Sequence, residues 1–204
     1  MNWRLWTAHP TLAIPAILKE KGLIRASDLA PFGLRRRALG DLVESRSIRR
    51  VSRGVYALHG VAVDPLAVVA KRVPRGIFCL QTALYIHGLA PQPEQVWIAL
   101  GSKDRPPKVG FPPLRLVRLS GAARHEGVEI QILGGTEIRV YGLAKTLADC
   151  LKFRNKIGSA RPLDLVTRCL DEKRCTLDEL RRFAAICRVE RVLDAHLLSR
   201  GTKK

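Results

Sequence analysis

The sequence predicts an α+β chain: an N-terminal winged helix-turn-helix, then a mixed α+β domain with a small sheet and C-terminal helices. Three observations point there. The first 46 residues carry three short helical patterns. Residues 48–58 alternate as two strands around a tight turn, and residues 96–141 hold four strand-like runs flanked by helical patterns. The 204 residues suit one large domain or two small ones, and a change of character after Gly60 divides them into 1–60 and 61–204.

Each element follows from local chemistry. Leu12, Ile14, Ile17, Leu18 and Leu23 recur at helical spacing, and Gly22 sits where a C-cap belongs. Ser27 offers an N-cap to a short second helix that Pro31 and Gly33 stop. A third helix is predicted from Leu34 to about Arg46, with Ala38, Leu39, Leu42 and Val43 on its inner face. Ile48–Leu58 reads as a hairpin turning at Ser52-Arg53-Gly54, the wing. Asp64-Pro65 caps a helix ending before Pro74, and another spans Leu80 to His87. Strands are predicted at Val96–Leu100, Leu114–Leu119, Val128–Leu133 and Ile138–Tyr141. A helix follows Gly142 through Phe153, then two or three more, one opened by the capping box Thr176-Leu177-Asp178-Glu179. The tail from Arg200 is expected to fray.

Composition narrows the function. Hydrophobic residues make up 47%, enough for a core, while 36 Lys and Arg face 18 Asp and Glu for a net charge of +18. Such an excess calls for a polyanionic partner, with nucleic acid first, an anionic membrane surface second and an acidic protein third. No apolar run approaches the ~20 residues of a membrane span, and the N-terminus has no signal-peptide core, so a cytoplasmic location is expected. The five cysteines form no metal-ligand spacing and read as buried thiols. At 5%, aromatics are too sparse for rows of stacked single-stranded bases.

The charges fall in a pattern. Residues 1–60 hold 11 basic and 4 acidic side chains, and residues 61–204 hold 25 and 14. A third helix that buries Leu39 and Leu42 turns Arg36, Arg37, Gly40 and Glu44 outward. Arg35, Arg36 and Arg37 stand in its first turn, where positive charge opposes the macrodipole and where recognition helices meet base edges. Arginine holds guanine O6 and N7, or a phosphate, through two hydrogen bonds. Gly40 lets the helix approach a groove wall closely. Arg49, Arg50 and Arg53 on the wing suit phosphates or a minor groove, or protect a strand edge. The expected DNA-binding set is therefore Arg35, Arg36, Arg37, Gly40, Arg49, Arg50 and Arg53.

Catalytic chemistry is harder to find. Glu126 and Glu129 lie near strand-like sequence as nuclease carboxylates would, yet Gln131 stands where a lysine would help polarise water. Ser120, His125 and Asp149 belong to no triad motif, His87 reads as a helix C-terminal residue, and Thr146 with Asp149 reads as a helix-start hydrogen bond. Without Walker or dinucleotide motifs, no cofactor, metal or enzymatic role is expected. A nuclease-like enzyme targeted by a winged helix, or a protein-binding module with little DNA role, are the alternatives.

The hairpin Ile48–Tyr56 resembles the end of the winged helix of AbiEi-family antitoxins. Phe78–Leu89 followed by Val96–Leu100 resembles that family's central helix-then-strand segment. Ile138–Cys150, extended by Phe153–Gly158, resembles its strand-into-helix segment. The likeness spans roughly residues 10–175. It implies a transcriptional autorepressor of a bacterial type IV toxin–antitoxin (abortive infection) pair. The winged helix would bind operator repeats in double-stranded DNA, and the C-terminal domain would act against a nucleotidyltransferase-like toxin. Arg46 stands where the family usually has glycine, at a turn that commonly needs positive φ, so either the turn differs here or Arg46 is strained.

Overall fold

The computed structural model describes residues 9–157 and 162–201. The N-terminal Met1–Trp6, Gly158 of the AbiEi-like segment, and Thr202-Lys203-Lys204 of the expected frayed tail lie outside them. The chain forms two compact units, Met1–Pro74 with Gln131–Ile138, and Arg75–Ile130 with Arg139–Lys204.

In unit 1, α1 (Pro10–Lys21) begins on a proline, whose missing N–H costs nothing in a first turn, and stops at Gly22 with φ 63°. A side chain at Gly22 would run into the carbonyl of Gly134, so the site demands both left-handed backbone and empty space. Strand β1 (Ile24–Arg25) leads into a 3₁₀ helix, Ala26–Phe32, rather than an α-helix. Its cap is not the expected Ser27. Asp28 accepts from the Arg25 backbone N–H and from Arg25 Nε, both at 2.9 Å, leaving Ser27 Oγ only a 3.4 Å approach to Asp28. Burial pushes the Asp28 carboxyl up, but the Arg25 hydrogen bonds and charge outweigh it and hold it below its ordinary range.

Helix α2 (Ala38–Glu44) is shorter than predicted, because the arginines before it lie in a tight turn, with the Ala38 N–H donating to Arg35 O at 3.2 Å, and no side chain caps the helix. Leu39 and Leu42 are buried as expected, whereas Val43 is 37% exposed and belongs to the outer face. Strands β2 (Ile48–Ser52) and β3 (Val55–Leu58) pair antiparallel with a bulge between Arg50 and Ser52, and β1 completes a three-stranded sheet in the order β1-β3-β2. Ile14, Ile17, Leu18, Leu29, Leu39, Leu42 and Ile48 form the core beneath this winged helix. Helix α3 (Pro65–Arg72), capped by Asp64 Oδ1 accepting from the Leu66 N–H at 2.7 Å, adds Ala67 and Val68 to a second cluster. That cluster holds Leu23, Val55 and Ala57, with Leu133 packed on it. Unit 1 therefore runs past Gly60.

Of the two outcomes open at Arg46, the strained one holds. Its φ is 56°, with the Arg46 N–H bonded to Val43 O at 3.1 Å and the Ser47 N–H to Leu42 O at 3.0 Å, a Schellman ending of α2. An L residue there carries strain that glycine would avoid. Arg46→Gly is expected to raise stability by about 0.5–1 kcal/mol in urea denaturation, the relief being partly offset by glycine's unfolded-state entropy.

Unit 2 is built on a mixed sheet ordered β6-β5-β4-β8-β7, from β4 (Ile77–Phe78), β5 (Val96–Gly101), β6 (Leu114–Leu119), β7 (Val128–Leu133) and β8 (Thr136–Tyr141). Residues 131–138, around the Gly134-Gly135 turn, are those that group with unit 1. Strand β4 pairs antiparallel with β5 and parallel with β8, and β5 pairs parallel with β6. The helices are α4 (Leu80–Ile86), α5 (Ala122–His125), α6 (Leu143–Lys152), α7 (Pro162–Asp171), α8 (Leu177–Cys187) and α9 (Glu190–Gly201). The predicted box opens α8, with Thr176 Oγ1 accepting from the Glu179 N–H at 3.1 Å and Glu179 from the Thr176 N–H at 2.8 Å. Every residue from Ala144 to Leu151 is buried, so α6 is the central helix, enclosed on all sides. All five cysteines are free; four are buried and Cys175 is half-buried.

Candidate nucleic-acid interface

Leu39 and Leu42 anchor α2, and truncating a core leucine typically costs about 2–5 kcal/mol. With that face held, the other is open. Arg36, Arg37, Gly40, Val43, Glu44 and Arg50 line one concavity of about 570 Å³, which Tyr56 also lines. Arg50 arrives there because it pairs with Tyr56 across the β2–β3 ladder, and alternation along a strand puts it opposite its neighbour Arg49. Nothing lies within 4 Å of where a Gly40 side chain would begin, so packing does not require this glycine. Four of the seven residues singled out by sequence, Arg36, Arg37, Gly40 and Arg50, thus share one surface.

The other three stand apart from it. Arg35 is exposed in the turn before α2. Arg49 is half-buried and donates through Nη2 to Val61 O at 2.8 Å, tying the strand to the chain that leaves it. Arg53, at the wing turn, lines a different concavity with Arg25 and Arg36. Sequence reasoning missed Tyr56, and it placed Val43 in the core. The alternation of Val55-Tyr56-Ala57 marked Val55 and Ala57 for the inner side and so held the signal for Tyr56.

Several of the side chains weighed for catalysis in unit 2 make structural contacts. Glu126 accepts from Arg182 Nη2 at 2.8 Å. The carboxylate of Glu129 lies over Gly142, at the start of α6. Among the described residues no cluster of three or more His, Cys, Asp or Glu is arranged to hold a metal. The ring of His87 bonds Tyr141 O through Nε2 at 2.8 Å. Thr146 and Asp149 do not form the expected helix-start bond. Thr146 Oγ1 donates to Tyr141 O at 3.0 Å, and Asp149 Oδ2 accepts from Lys145 Nζ at 2.5 Å. Among the described residues no helix is long and apolar enough to cross a membrane.

Residues 13–59 match the family model described as transcriptional regulator, AbiEi antitoxin. That stretch is similar to the regulator domain of AbiEi antitoxins. It covers α1 through the wing and carries the whole arginine-lined face, and the family is one of regulatory antitoxins. No curated protein matches the chain. Among solved structures, the RV2827C protein from Mycobacterium tuberculosis has a similar fold, with a TM-score of 0.55 at 16% identity over 89% of this chain and 71% of that one. The shared fold therefore extends well past residues 13–59.

Proposed function

We propose that this chain is a cytoplasmic DNA-binding autorepressor and the antitoxin of a bacterial type IV toxin–antitoxin pair, opposing a nucleotidyltransferase-like toxin. The observation that carries the DNA reading is the gathering of Arg36, Arg37, Gly40 and Arg50 on one open face of an AbiEi-type domain. On this reading α2 enters the major groove and Arg36 and Arg37 read guanine edges in operator repeats. Arg35, Arg49, Arg50 and Arg53 hold backbone phosphates, Arg49 through guanidinium donors beyond the one that meets Val61. Gly40 admits the groove wall. Gly40→Ala is expected to stabilise the fold by about 0.5–1 kcal/mol in urea, through helix propensity, while weakening operator binding in a duplex titration. Unchanged binding would remove Gly40 from the interface.

The antitoxin part rests on the family and on the lack of a catalytic set among the described residues of unit 2. Its test keeps the chain whole. Full-length protein with Arg36→Ala and Arg37→Ala, co-expressed with the adjacent toxin, is expected to restore growth while losing repression of its own promoter. Loss of growth rescue from the folded variant would contradict a toxin function separate from operator binding.

A further inference from the structure

A second basic site lies within unit 1. Arg25, Arg36, Arg53, Lys71, Arg72 and Pro74 line a concavity of about 290 Å³. Its five cations come from four places in the chain: β1, the turn before α2, the wing turn and the end of α3. Asp28 meets two of them, 2.8 Å from Arg25 Nη2 and 3.8 Å from Lys71 Nζ, and the Glu137 carboxylate also acts on Lys71. Five cations against these two carboxylates still leave a surplus of positive charge in a partly enclosed space, where field lines concentrate and an anion is attracted. The Lys71 side chain is only 18% exposed. Arg72 Nη1 donates to Arg53 O at 2.7 Å, which fixes the wing turn beside the end of α3.

Helix-end electrostatics explains part of this. Lys71 and Arg72 close α3, where the macrodipole favours cations. It does not explain why Arg25, Arg36 and Arg53 converge on the same concavity. Resting on the duplex-binding reading, we infer that this concavity is a phosphate clamp in which α3, beyond the winged helix proper, helps hold one backbone phosphate of the bound duplex. Arg25, Arg53, Lys71 and Arg72 supply charge and hydrogen-bond donors for the phosphodiester oxygens. Arg36 lines both concavities, so the clamp lies within one side chain's reach of the reading face. A phosphate held at that place carries no sequence information; it fixes the register in which α2 meets the bases.

The test is the salt dependence of duplex binding by the full-length chain. Lys71→Gln is expected to weaken operator and scrambled duplex by the same factor and to make log affinity against log salt shallower by about one. Lys71→Arg should keep the slope. Ser27 is exposed and lines the same concavity, so Ser27→Glu gives a second variant without touching the core, and it should act as Lys71→Gln does. Thermal denaturation with inorganic phosphate distinguishes a free anion from the duplex. Phosphate stabilisation that Lys71→Gln abolishes while the slope stays unaltered assigns the concavity to a free anion and overturns the clamp. An unaltered slope in both Lys71→Gln and Ser27→Glu also overturns it. Failure of the unaltered chain to bind duplex at all overturns both readings, whereas binding with an unchanged slope overturns the clamp alone.

Discussion

Alanine at both Arg36 and Arg37 is expected to cost about 1–3 kcal/mol for each arginine–base pairing removed and to bring operator affinity down toward that for scrambled duplex. Both side chains line the outer concavity of α2, and neither supports the core. The fold should therefore survive, with an unchanged urea midpoint. The effect on specificity separates these two arginines from those proposed to hold phosphates. Arg53→Ala should weaken every duplex alike and flatten the salt dependence. A double variant that weakens operator and scrambled DNA equally would move Arg36 and Arg37 from base reading to backbone binding.

The second large effect is on stability and belongs to unit 2. Lys145 and Asp149 are one turn apart on α6 at 0% and 1% exposure, with Nζ to Oδ2 at 2.5 Å. The ammonium also lies 4.2 Å from the centre of the Tyr141 ring, and Cys187 Sγ donates to Asp149 Oδ1 at 3.2 Å. Burial pushes the Asp149 carboxyl above its ordinary range, and Lys145 draws it part of the way back. Lys145→Ala removes the compensating charge and is expected to cost about 3–5 kcal/mol, a large share of a typical domain's stability. The penalty should depend on pH. The folded carboxyl holds its proton to higher pH than the unfolded one, whose value lies near about 3.9. Stability of the variant therefore falls as pH rises from there through the raised folded value, and the variant is least impaired in acid. Lys145→Met with Asp149→Leu should recover most of the loss, since an apolar pair in the same volume needs no charge compensation. A Lys145→Ala variant within about 1 kcal/mol of the parent at neutral pH would show that water reaches the pair.

The wing was legible because the alternation in Ile48–Leu58 and the Ser52-Arg53-Gly54 turn are local signals. The capping box at Thr176 was legible for the same reason. The start of α2 was not. Nothing between Leu34 and Ala38 caps a helix, and three successive arginines oppose its dipole, so the chain there makes only a turn with i→i+3 bonds before the helix begins. Strands β1 and β4 have two residues each, too few to show a period. The grouping of residues 131–138 with unit 1 rests on bonds such as Thr136 Oγ1 donating to Lys21 O at 3.0 Å, 115 positions away, which no local pattern encodes. The arginines of the proposed DNA-binding set could be picked out one by one, but Tyr56, Lys71 and Arg72 come beside them only through strand register and the packing of α3.

Sequence-specific repression is tested most directly by titrating the full-length chain with the duplex upstream of its own gene and with a scrambled duplex of equal composition, at about 0.15 M salt. A winged helix reading bases through Arg36 and Arg37 should prefer the upstream duplex by at least roughly a thousandfold. Equal affinity for the two duplexes would contradict it.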